Sequence, residues 1–235
     1  MNRLKNIKQI KYWLIVFLAL LWWQACNPSY IPANHFLIND EPENFGYGLY
    51  SYLLLNPQKK DSLKCVALLS AFLSKRKELV EISQYKVDSN INIIYLPVKT
   101  SLPKGFDNLS NKQQINWVMT NYNFKRAKKL LKHFCFEHSS GPYIISFHQP
   151  VSVIQEPVTE NFLVQDFTKV PPSVGAMWLD EFIKLSYMND FQNDINLKVF
   201  GESLKTAVGN LAQNVQINKS MLGLDENIKQ WITFR

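Results

Sequence analysis

Cysteine is scarce in this chain, with three in 235 residues, and glycine is held to eight. So few cysteines exclude a disulfide-dense scaffold, and so few glycines exclude a collagen-like repeat. Charge is sparse too, at 19% of residues, yet a 46% hydrophobic content excludes a disordered chain. No apolar run reaches the roughly 20 residues that a comfortable membrane span needs. Chemical motifs are equally thin. There is no Gly-x-Ser-x-Gly elbow, no His-Glu-x-x-His arrangement and no cysteine-pair metal motif. No catalytic residue, metal site or cofactor is therefore expected, and the length suits one domain.

What is present begins at the N-terminus. Arg3, Lys5, Lys8 and Lys11 form a basic stretch without an acid, followed by the apolar run Tyr12 to Trp23. This fits the charged and apolar regions of an export signal. Ala25 and Cys26 then follow, a small residue directly before a cysteine, which resembles the bacterial lipoprotein processing site with Cys26 as the lipidated residue. An uncleaved anchor with Trp22 and Trp23 at the interface, or an ordinary cleaved signal, fits the same run. Each version leaves the basic flank inside and the body outside the cytoplasm, on the periplasmic side of a membrane. Removing residues 1–25 leaves 22 cations against 19 anions, a net charge of +3. The basicity is thus mainly a targeting feature, and no nucleic-acid partner is expected.

Residues 26–45 hold three prolines and no helical periodicity, so they read as a tether. The body, 46–235, then alternates apolar runs with helical stripes. Strands are expected at 47–55, 91–98, 143–147 and 162–167, and helices at 63–79, from 113 with a break near Asn121, after Pro172, at 197–215 and at 225–232. In the last long helix Val199, Leu204, Val208, Leu211 and Val215 are expected to face inward. Strand–helix–strand alternation predicts an α/β domain with a three- to four-stranded, mostly parallel sheet, crossover helices and a C-terminal helical segment.

Few residues invite a functional reading. Lys125, Arg126, Lys128, Lys129 and Lys132 form a basic row opposite the apolar stripe of Phe124, Ala127, Leu130, Leu131 and Phe134. Such a helix suits anionic headgroups or an acidic partner, or simply a core-packed helix with a solvated face. Asp166 follows an expected strand and precedes a proline-started helix. Ligands gather at such strand ends, but an acid there also serves to start a helix. Gly46-Tyr47-Gly48-Leu49-Tyr50-Ser51 superficially suggests a phosphate loop, although an apolar strand is expected after it where that motif needs a helix. Cys65 and Cys135, which a disulfide could join only in an oxidising compartment, both sit in apolar runs and read as small buried hydrophobes.

The stretches NFGYGLYSYLLL (44–55) and VQDFTKVPPSVGAMWLDEF (164–182), with GPYIIS between them, resemble a group of bacterial exported, lipoprotein-like proteins. That resemblance implies a cell-envelope location and brings no activity. The expectation is a membrane-anchored envelope domain that binds a protein or ligand. The competing expectation is a small envelope hydrolase or transferase with its site near Asp166.

Overall fold

A computed structural model of the chain describes residues 31–55, 63–76, 81, 84, 88–136, 141–154, 161–187, 191, 194–214 and 232–234. The leader, Cys26 and nearly all of the expected 225–232 helix lie outside them. In chain order the described elements are β1 (Ile31–Ile38), β2 (Leu49–Leu54), α1 (Leu63–Ser74) and β3 (Ile91–Val98). Then come α2 (Asn111–Asn121), α3 (Phe124–His133), β4 (Tyr143–Phe147) and β5 (Leu163–Asp166). The last are α4 (Pro172–Ser186), α5 (Asp194–Asn214) and β6 (Ile232–Phe234).

The α/β class stands, but the sheet is wider and less parallel than expected. Among the described residues six strands lie in the order β1-β3-β2-β4-β5-β6. Only β1–β3 and β2–β3 pair in parallel, while β2–β4, β4–β5 and β5–β6 are antiparallel. Two helices separate β3 from β4, so the chain re-enters the sheet from the far end and runs backwards beside β2. Helix count does not reveal that reversal.

The tether reading of residues 26–45 is also corrected, because β1 occupies Ile31–Ile38 and pairs along its whole length with β3. Pro32 is tolerated because β1 is the sheet's edge strand, where a missing N–H need not break a ladder. Pro97 sits in the inner strand β3 for a related reason. Its carbonyl accepts from Asn123 N, 3.1 Å away, on the side where the pairing with β2 has already ended at Tyr95.

Strand alternation gives the sheet two differently covered faces. One face carries Asn34, Asn92, Ser51, Ser146 and Gln165, all buried among apolar neighbours. Each finds a partner. Asn34 donates to Phe72 O (2.6 Å), Asn92 donates to Ser186 O (2.5 Å), and Trp178 donates to Gln165 Oε1 (2.9 Å). The Ser51 and Ser146 hydroxyls bond each other at 2.8 Å. The three amide bonds dock α1 and α4 against the sheet at fixed points, since a buried amide left without its partner is costly. Among the described side chains of α5 the buried set is Leu197, Phe200, Gly201, Leu204 and Val208, whereas Val199 is 54% exposed. Leu204 and Val208 face inward as expected, while Phe200 takes the core side in place of Val199; the side chains of Leu211 and Val215 lie outside the described residues.

The other face presents Tyr50, Tyr52 and Tyr95 under a thinner cover. Residues 39–48 leave β1 and cross above β3 to reach β2 without forming a helix. Gly46, at φ 94°, takes the left-handed turn that this path needs before β2 starts. A strand and not a helix follows Gly48, so the phosphate-loop geometry is absent. Helix α3 lies beside this crossover.

Candidate functional site

Helix α3 begins where Asn123 caps it, its Oδ1 accepting from Arg126 N at 3.0 Å. Ala127, Leu130 and Leu131 are buried beneath it, as the apolar stripe predicts. Lys125, Lys128, Lys129 and Lys132 point outward and are exposed. Arg126 does not belong with them. Its Nη1 donates to the carbonyls of Ile38 (3.3 Å) and Asn39 (2.6 Å), and its Nη2 donates to Glu41 O (2.5 Å). Three loop carbonyls thus converge on one planar guanidinium, which pins the start of the crossover to α3. Arg126 is corrected from a surface contact to a loop clamp.

Behind the clamp stands Glu43, whose side chain is only 2% exposed, with Oε1 4.0 Å from Arg126 Nη2. Its other oxygen, Oε2, is buried out of reach of solvent, and the Tyr52 phenol is a hydrogen-bonding neighbour of this carboxylate. The surroundings are aromatic. Tyr52 stacks on Tyr95 at 5.8 Å, and the Tyr52 hydroxyl accepts from Val151 N at 3.0 Å. Burial, reinforced by the Glu43 charge, pushes the Tyr52 phenol well above its ordinary range. Tyr95 is raised as well, first by burial and then by neighbouring tyrosines and Glu43. Burial draws Arg126 down from its usual range against the opposing pull of Glu43 and Asp40. It stays cationic even so.

This ionic core opens into a cleft of about 350 Å³ bounded by Asp40, Glu43, Arg126, Lys129, His133 and Ser152. The loop supplies the acids and α3 supplies the cations, since positions 126, 129 and 133 recur on one helix face. The cleft lies beside the carboxyl end of β1, where the chain leaves over one face while the chain leaving β2 takes α1 over the other. Open α/β sheets tend to hold ligands at such partings.

The other candidates are less built. Asp166 Oδ1 accepts from Thr168 N at 2.7 Å, closing an Asx turn before α4, and Lys64 donates to Thr168 O in the same corner. Its carboxylate is thus engaged in a local turn ahead of α4, whose cap position, Pro171, takes no side-chain hydrogen bond. A second cleft of about 400 Å³ lies between the ends of α1 and α4 and is rimmed by Arg76, Asp180, Glu181 and Lys184. Arg76 is already bidentate with Asp107 there, and Lys184 pairs with Glu181. No disulfide joins Cys65 and Cys135. Cys65 is buried as expected, but Cys135 is exposed, because the chain turns at φ 60° after α3 and sends Phe134 and Phe136 inward instead.

Among the described residues, no three His, Cys, Asp or Glu side chains gather as a metal site, and no helix is long and apolar enough to cross a membrane. Sequence reasoning missed Glu43, Tyr52 and Tyr95 altogether. The only available signal was the alternation of Tyr50 and Tyr52 in a short apolar run, which puts two phenols on one face of a strand. No family model, curated protein or solved structure matches the chain.

Proposed function

We propose that this chain is an exported, membrane-anchored binding domain that takes a small ligand in the cleft between the 39–48 crossover and α3, without catalysis. One observation carries the reading: an open cleft of about 350 Å³ is lined by acids from the crossover, Asp40 and Glu43, and by cations from α3, Arg126 and Lys129. Clefts with a few convergent polar groups are where small ligands usually bind. The anchor follows from the basic leader and Cys26, whose acylation holds the domain at the membrane surface of the cell envelope and concentrates it there. The exposed row Lys125, Lys128, Lys129 and Lys132 then suits an acidic partner protein in the same compartment. The hydrolase or transferase alternative would need its acid at Asp166, and that carboxylate closes a turn.

Two measurements test the reading. Palmitate labelling of the wild type and Cys26→Ala tests the anchor, since label that survives the substitution sinks the Cys26 assignment. Thermal unfolding against a panel of small anions, amines, sugars and zwitterions tests the cleft. A ligand at about 100 times its Kd raises stability by about 2.7 kcal/mol, an easily read shift. A stabilising compound whose effect is lost in Lys129→Ala supports the cleft. A panel with no such compound removes it.

A further inference from the structure

The end of the sheet at which the chain enters β1 carries a surface of its own. β1, β2 and β3 run in parallel, so their first residues lie together. Helices α1 and α4 both finish at this end. Asn34, early in β1, donates to Phe72 O near the end of α1. Asn92, early in β3, donates to the carbonyl of Ser186, the last residue of α4. Pro32, Lys75, Arg76, Lys184 and Tyr187 accordingly border one cleft of about 400 Å³.

What this end shows to solvent is graded. Tyr187, just past α4, is 40% exposed although it is a large aromatic residue. Lys75, just past α1, is exposed, and the Lys184 side chain is 71% exposed. Arg76 is engaged by Asp107. The acids of the cleft, Asp180 and Glu181, stand back from the tip. At about 1.5 Å per helical residue they sit about 9–10 Å further up α4 than Tyr187, with Lys184 between. A phenol at the tip, then cations, then acids is the order that suits a lipid–water boundary, where tyrosine settles at headgroup depth and lysine stems reach toward phosphates.

The course of the chain says what covers this surface. Only residues 27–30 separate Cys26 from β1. A lipid on Cys26 therefore brings this end to the membrane, and not the end where Arg126 holds the carbonyls of Ile38 and Asn39.

We infer that the surface formed by Lys75, Lys184 and Tyr187 docks on the bilayer that holds the anchor, with Tyr187 among the headgroups and the two lysines on the phosphates of anionic lipids. The inference rests on the acylation of Cys26 proposed above and adds to it. A lipid chain fixes the distance of the domain from the membrane, whereas a second contact fixes its orientation.

Nitroxide quenching on the full chain, extracted with its lipid from the membranes that hold it and reconstituted into vesicles, tests this. In a Cys135→Ser background, which removes the exposed thiol, a fluorescent label is placed at Ser74→Cys beside the proposed surface or at Lys125→Cys on α3. The vesicles combine phosphatidylcholine with phosphatidylglycerol and carry nitroxides on their headgroups. Quenching several-fold stronger at 74 than at 125 is expected. That excess should shrink when phosphatidylglycerol is left out, at high salt, in Lys75→Gln with Lys184→Gln, and in Tyr187→Ser, while palmitate label and sedimentation with the vesicles persist. The substituted side chains are exposed, and an unchanged urea midpoint checks that the variants fold. Equal quenching at the two positions, or an excess that neither lipid, salt nor variants alter, overturns the docking surface and leaves the anchor standing. A chain that takes up no palmitate and stays off the vesicles overturns the anchor reading and this inference with it.

Discussion

Replacing Arg126 with methionine should destabilise the fold far more than replacing any of its basic neighbours. The substitution keeps the apolar stem and removes the guanidinium, so three donated hydrogen bonds disappear and Glu43 loses its counter-charge. Hydrogen bonds from a charged donor contribute about 1.5–3 kcal/mol each when dry. Asn39 and Glu41 are exposed, so water replaces much of theirs. The larger effect is the stranded carboxylate, since breaking a buried ion pair costs about 3–5 kcal/mol. Here the 4.0 Å separation makes the pair looser than direct contact and reduces that figure. Together these give about 2–4 kcal/mol for Arg126→Met, against less than about 0.5 kcal/mol for the exposed Lys125→Met. Urea unfolding followed by tryptophan fluorescence measures both. The double variant Arg126→Met with Glu43→Gln should recover about 1–2 kcal/mol of the loss, as expected for groups that share one interaction. A loss below about 1 kcal/mol in Arg126→Met, or strictly additive changes in the double variant, would refute the clamp.

Other substitutions probe the rest of the fold. Burial, with the Arg76 charge second, holds His35 below its ordinary pKa of 6.5, so the unfolded chain takes up this proton more readily than the folded one. Its contribution is complete above about pH 6.5 and is lost as pH falls toward the folded value, so the urea midpoint should drop less on acidification in His35→Gln than in the wild type. Tyr122→Phe should cost about 1–3 kcal/mol in urea unfolding, because the hydroxyl accepts from Leu55 N at 2.8 Å and donates to Leu53 O in a fully buried position. In α5, Gly209→Ala should raise stability by about 0.5–1 kcal/mol, since nothing lies within 4 Å of the added Cβ. Gly201→Ala should show no such gain in thermal melts, because its Cβ would meet Leu163 Cδ1 at 2.9 Å.

Much of the local structure was legible because local signals agreed. Continuous apolar runs ended by Pro or Asn marked β2 and β4, and the break near Asn121 correctly separated α2 from α3. β1 escaped because an edge strand tolerates Pro32 and mixes Asn34 and His35 with Phe36, which reads as a loop. Its Asn34 becomes a strand residue only because Phe72 O, 38 positions away, accepts its hydrogen bond. Strand direction escaped for a similar reason, since pairing is decided by partners far along the chain. At the site, the apolar and basic sides of α3 were visible in sequence. Arg126 looked like one more cation in a row, and only the carbonyls brought to it by the crossover set it apart. Glu43, an acid in a polar loop next to Pro42, gave no hint that it would be enclosed by tyrosines.

The position of β1 also limits how the molecule can stand. Ile31 comes five residues after Cys26, a reach of at most about 18 Å when fully stretched. If Cys26 carries the lipid, this leash is shorter than β1 itself, which spans roughly 25 Å. The protein would then ride close against the bilayer instead of swinging out from it, with the first residues of the edge strand nearest the headgroups. Arg126 and the mouth of the cleft lie past the strand's other end. They would look outward, toward solutes diffusing through the compartment.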